Sequence, residues 1–106
     1  MTNLATTTEN ANSTLHFVIN DSFDALAVEI LRPQLDELVQ GKTDVVLNIE
    51  NVHFIDSSGI GAIVFLFKRL RTLEQSLSII GAHGQPLELM KHLRVEQTIS
   101  VSESAS

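Results

Sequence analysis

Asp56-Ser57-Ser58-Gly59-Ile60-Gly61 sets one carboxylate, two hydroxyls and two glycines side by side. Three chemistries fit such a group: a hydroxyl nucleophile, a glycine-rich phosphate cradle, or a hydroxyl that another protein modifies. A serine-hydrolase elbow needs glycine two residues before the nucleophile as well as two after, so that the strained turn from strand to helix can be made. Ile55 stands two before Ser57 and Asp56 two before Ser58, so neither serine meets that requirement. His16, His53, His83 and His92 are candidate bases, but no spacing couples one of them to Ser58, and a lone histidine on a strand or helix is more often structural. Gly59-x-Gly61 is half of a dinucleotide fingerprint, with Val64 in the place of its third glycine. His83 and His92 lie nine residues apart without a third ligand at useful spacing, and the chain has no cysteine, so neither a metal site nor thiol chemistry is expected. No catalytic residue and no cofactor is expected either. Asp56 and Ser57 are also good N-cap residues and Gly59 suits a tight turn. The segment thus reads either as a capped helix start or as a functional loop, whose small residues leave Ser58 within reach of another protein's active site.

Both readings require a strand to end and a helix to begin at Asp56. Val45-Val46-Leu47-Asn48-Ile49 is a nearly continuous apolar, β-branched run, the pattern of a central strand covered on both faces. Val52-His53-Phe54-Ile55 leads into the motif, and after it Ile60, Ile63, Val64, Phe67 and Leu70 repeat at helical spacing to about Glu74. Upstream, Leu15 to Ile19 reads as a strand, with Leu4 to Thr8 as a short edge strand and Glu9 to Ser13 as the turn between them. Asn20-Asp21-Ser22 supplies capping oxygens ahead of apolar positions 23, 26, 27, 30, 31, 35, 38 and 39, one stripe of a first helix. Pro33 inside that stripe predicts a kink or a late start, and Gly41 suits a left-handed cap. Downstream, Leu77 to Ile80 is a third buried strand, Pro86 suits the first turn of a short helix over Leu87 to Leu93, and Val95 to Val101 adds an edge strand. Strands alternating with helices through right-handed crossovers give an α/β fold: a small mixed sheet packed against three to four helices. Loops where a strand hands over to a helix in such folds collect ligand and partner sites.

The 106 residues suffice for one core and no second one. Residues 1–14 form a polar N-terminal segment holding the edge strand, 15–99 the domain, and 100–106 a flexible tail, with both ends expected to fray. Thirteen acidic against seven basic residues, a net charge of −6, disfavour nucleic acid. No leader-like start and no apolar run near the ~20 residues of a membrane span are present, so a cytoplasmic, soluble protein without membrane insertion is expected. On the second helix, Phe65 falls opposite the core stripe together with Ala62 and Arg69. That placement fits an ordinary exposed apolar residue and equally a partner-binding face continuing from Ser58. Lys68-Arg69-x-Arg71 reads as a solvated basic edge near a helix C-terminus.

Phe54-Ile55-Asp56-Ser57-Ser58-Gly59-Ile60-Gly61 resembles the signature of the STAS-domain anti-sigma factor antagonists, and the likeness runs over roughly residues 15–99. Phe23-Asp24-Ala25-Leu26 resembles that family's Leu-Asp-Ala entry into its first helix, and Val45 to Ile49 its central strand. Asp21 stands where the family often has glycine, and the chain after Leu93 is short. The resemblance implies that Ser58 is phosphorylated by a serine kinase and restored by a PP2C-type phosphatase, with Asp56, Ser57, Gly59 and Gly61 shaping the loop. Asp24 is expected to contact a partner together with the face of Ala62, Phe65 and Arg69 read from helical spacing, and the resemblance makes that partner an anti-sigma factor that is often itself the kinase. The protein would be the substrate in this scheme, not a catalyst, and a monomer or weak dimer. The alternative it leaves open is another client: a biofilm or secretion regulator, or an unphosphorylated accessory subunit of a lipid transporter.

Overall fold

In β2 (Leu15–Ile19), Phe17 and Ile19 are buried while His16 and Val18 are only half-buried. The same alternation marks β3 (Val45–Asn48), where Val45 and Leu47 are buried, and β4 (Leu77–Ile80), where Leu77 and Ile79 are. Register aligns these residues across the sheet: Leu15, Val45 and Leu77 form one row, and Phe17, Leu47 and Ile79 the next. The computed structural model describes residues 4–9 and 14–104. Over these residues the sheet order is β1-β2-β3-β4-β5, with β1 (Ala5–Glu9) antiparallel to β2 and all other pairs parallel. The mixed α/β sheet expected from the sequence is therefore present. The turn expected over Glu9 to Ser13 lies mostly outside the described residues.

Among the described residues three helices complete the fold: α1 (Ala25–Gln40), α2 (Ser57–Thr72) and α3 (Gly84–His92). Because the parallel strands succeed one another in a single direction, right-handed crossovers put every helix on the same face. This corrects the expectation for β3. Val46 and Asn48 belong to the helix-free face, so the strand is covered on one side only. The apolar run misled because Val46 is apolar without being deeply buried, and strand periodicity alone does not reveal on which side helices pack.

Further expectations shift at element ends. The first helix does not start behind Asn20-Asp21-Ser22: Phe23 pairs as an isolated parallel bridge with Ile55, and Asp24 is the N-cap. Pro33 neither delays nor interrupts α1, which runs through it on the solvent side. Of the expected stripe, Ala27, Leu31, Leu38 and Val39 are buried, whereas Leu26 and Ile30 are 67% and 54% exposed. Gly41 is right-handed with φ −69°, and the left-handed residue is Lys42 at φ 54°. α2 ends at Thr72 and buries Leu66 rather than the half-buried Val64 and Phe67. α3 begins earlier than expected, at Gly84. Val95 to Val101 is not one strand. A 3₁₀ turn covers Val95–Gln97 and β5 is only Ser100–Val101. Ser100 to Ser104, expected to fray, is instead tied to the sheet end: Ala82 N–H donates to Ser102 O and Gly81 N–H to Ser104 O. No helix among the described residues is long and apolar enough to cross a membrane.

Pro33 removes one backbone hydrogen bond from α1 and is solvent-exposed. Replacing it, Pro33→Ala, is expected to stabilise the protein by about 1–2 kcal/mol after the gain in unfolded-chain entropy is subtracted. Thermal unfolding should then show Tm higher by roughly 4 °C or more. A lowered Tm would mean that the ring makes a contact stronger than the bond it displaces.

Candidate functional site

Asp56 ends the β3-to-α2 connection with extended backbone, φ −109° and ψ −175°, and its carboxylate faces two helix starts. Gly59 N–H donates to Asp56 Oδ1 at 2.9 Å, capping α2, and Ala25 N–H donates to Oδ2 at 3.2 Å, at the first residue of α1. One side chain thereby satisfies unpaired donors of two neighbouring helices. Asp24 caps α1 in the ordinary way, its Oδ1 accepting from Ala27 N–H at 3.0 Å. The backbone before Asp56 is held on both sides. Phe23 N–H donates to Phe54 O, and Gln85 at the start of α3 clamps Ile55, accepting from its N–H and donating to its carbonyl, both at 2.9 Å.

Gly59 is where the chains approach most closely. A Cβ there would enter the van der Waals shell of the Phe23 carbonyl oxygen and lie 2.6 Å from Ile55 Cγ1. Gly61 is different. It is exposed, a Cβ would meet nothing within 4 Å, and its φ is not in the left-handed region. Glycine in a helix interior costs about 1 kcal/mol relative to alanine, and the fold supplies no compensating contact at Gly61.

Ser57 and Ser58 are both exposed on the first turn of α2, and Asp56 beside them is half-buried. Ser58 stands at one end of a groove of about 490 Å³ between α1 and α2. Phe65, 60% exposed, and the half-buried Ala62 and Arg69 line the α2 wall. The structure thus brings together Ser58, Gly61, Ala62, Phe65 and Arg69 on one surface. Asp24 lies outside the groove, and its carboxylate is engaged in capping. Arg69 is likewise engaged, donating to Asp36 Oδ1 at 2.7 Å, with its guanidinium 5.4 Å from the Phe65 ring centre. Both side chains of the ion pair keep solvent access, so it contributes under about 1 kcal/mol. No histidine lines the groove, and His83 is turned to Glu50 O at 2.8 Å. Among the described residues no cluster of three or more His, Asp or Glu could hold a metal ion.

Sequence reasoning missed the α1 wall, formed by Val28, Glu29, Arg32, Leu35 and Asp36. Glu29, Arg32 and Asp36 share one helix face by spacing, which was available as a signal. Gln85 carried none, because its partner lies 30 residues away.

Residues 5–105 match the family model of the STAS domain. The anti-sigma-B factor antagonist of Staphylococcus aureus is 29% identical over 76 residues, covering 67% of this chain and 70% of that protein. An anti-sigma-factor antagonist (STAS) domain protein from Planctomyces limnophilus superposes with a TM-score of 0.86 at 17% identity, over 96% of this chain and 91% of that one. The Bacillus cell fate determinant SpoIIAA in its phosphorylated form superposes with a TM-score of 0.71 at 18% identity, over 92% of this chain and 89% of that one.

Asp56→Ala, which uncaps both helices, is expected to cost about 1–3 kcal/mol in urea unfolding. Gly59→Ala should lose at least about 2 kcal/mol because the new methyl meets the Phe23 backbone carbonyl as well as the buried Ile55 side chain. Wild-type stability in Gly59→Ala would show that α2 can move off Phe23 freely.

Proposed function

The chain belongs to the STAS-domain family, and we propose that it is a phosphorylation-switched binding regulator which, with Ser58 unmodified, sequesters an anti-sigma factor that is itself a serine kinase. The observation that carries this reading is the exposure of Ser58 at the start of a helix whose geometry is fixed by other residues. A kinase can reach the hydroxyl without unfolding anything. A phosphate there adds about −1.5 to −2 charges, taking the formal net charge from −6 to about −8. The helix N-terminus favours that anion by roughly 0.3–1 kcal/mol, so the fold persists. In an interface the same dianion must be desolvated, and an unpaired buried charge costs on the order of 3–5 kcal/mol. That is about a hundredfold or more in affinity. A phosphatase of the PP2C type restores the binding form. Similarity to the Staphylococcus aureus antagonist over 67% of the chain supports the client class.

The test uses the serine kinases of the source organism that have the histidine-kinase-like ATP-binding fold, each purified and incubated with the full chain and ATP. One of them should add a single phosphate, lost in Ser58→Ala and retained in Ser57→Ala by mass spectrometry. Ser58→Asp should bind that kinase about a hundredfold more weakly than wild type, consistent with the charge cost above. Equal affinities of Ser58→Asp and Ser58→Ala would remove the electrostatic gate. No phosphate from any kinase, with co-purification of transporter subunits, would support the scaffold alternative instead.

A further inference from the structure

α1 and α2 start together and stay together. Asp56 joins Ala25 to the first turn of α2, and Asp36 pairs with Arg69 further along. Asp36 lies eleven residues beyond Ala25 and Arg69 thirteen beyond Asp56, so the two contacts that join the helices are about three to four turns apart along each. The groove between them is therefore about 16 Å long, three helical turns. At its Ser58 end the lining is small, with Ala25, Gly61 and Ala62. Farther along, Phe65 rises as an exposed wall and Arg32 projects from α1 as an exposed cation with no ion pair or hydrogen bond among the described residues.

Resting on the reading of Ser58 given above, we propose that this groove seats a three-turn amphipathic helix of the kinase partner, with an acidic side chain of that helix opposite Arg32 and its backbone brought close at Gly61. Several observations select this occupant. Both walls are helices whose backbone groups in the groove are paired within the helix, the Glu29 carbonyl opposite Pro33 excepted, so an extended segment laid between them would find no ladder for its own N–H and C=O groups, whereas a helix satisfies them internally. Arg32 and Glu29 are the two groove charges without an ion pair among the described residues, so Arg32 asks for an anion and Glu29 for a cation one turn away, while Arg69 on the opposite wall is already neutralised by Asp36. A second copy of this chain is disfavoured by repulsion between two bodies of charge −6. The exposed glycine, which the fold does not use, becomes intelligible as room for close approach. Such an occupant also ends beside Ser58, where a phosphate would confront an acid-bearing helix with like charge as well as bulk.

The test uses the kinase that phosphorylates Ser58, with full-length variants, reading affinity and Tm together. Gly61→Leu should keep or raise Tm, because leucine is the better helix former, yet weaken kinase binding at least tenfold by filling the groove. Arg32→Glu should weaken binding by a similar factor with Tm unchanged. The chain has no cysteine, so Glu29→Cys carrying a photo-crosslinker reports the occupant directly. Crosslinks falling at helical spacing on one acidic segment of the kinase support the proposal. Wild-type affinity in Gly61→Leu, crosslinks to an extended loop, or crosslinks to a second copy of this chain would each overturn it. Ser58→Asp in the same assay separates the two ideas: lost binding there beside unchanged binding in Gly61→Leu leaves the switch standing and removes the groove helix.

Discussion

The carboxylate of Asp56 holds two helix starts at one point, and the placement of the site follows from that. Its two oxygens accept from Gly59 and Ala25, one donor on each helix. This contact works only because Gly59 lets α2 lie against the backbone of Phe23. The bridge between Phe23 and Ile55 and the Gln85 clamp on Ile55 then fix where the carboxylate sits. Each of these parts bears on the position of the first turn of α2. That turn carries Ser57 and Ser58.

A consequence is that the residue proposed as the switch, Ser58, is separate from what holds its loop. Ser58 lies on the solvent side, while Asp56 and Gly59 make the close contacts beneath it. A modification at Ser58 therefore has no buried contact of its own to break. Under the proposed switch its effect is exerted outward, on the partner proposed to dock against the α1–α2 surface. This differs from switches that order or melt a segment, where the free energy of the conformational change sets the size of the response. In the proposed switch the response is set by the charge of the phosphate and by how dry the interface is.

The groove shows how a surface gains definition from interactions that contribute little to stability. The Asp36–Arg69 pair is solvent-accessible and its energy small. It nevertheless bridges the two helices at the far end of the groove and holds Arg69 5.4 Å from the centre of the Phe65 ring. Arg69 is thereby a wall of the site more than a free cation, while Arg32 across the groove keeps its charge available.

Much of this was legible in the residue order. The motif from Asp56 to Gly61, the two strands before it, the two long helices and the exposure of Phe65 all follow from capping chemistry and from 2- and 3.6-residue periods, which are local properties. Exposure of Leu26 and Ile30, the helix-free side of β3 and the pairing of Ser102 and Ser104 with the end of β4 were not legible, since each depends on which elements lie opposite. Apolarity marks a residue as able to be buried, but crossover handedness and strand order determine whether a partner is there to bury it. The same limit separates Gly59 from Gly61. In sequence they are two equivalent glycines of one motif, and only the tertiary structure, by placing a carbonyl against the first and open space above the second, makes one a requirement of the fold and leaves the other to the surface.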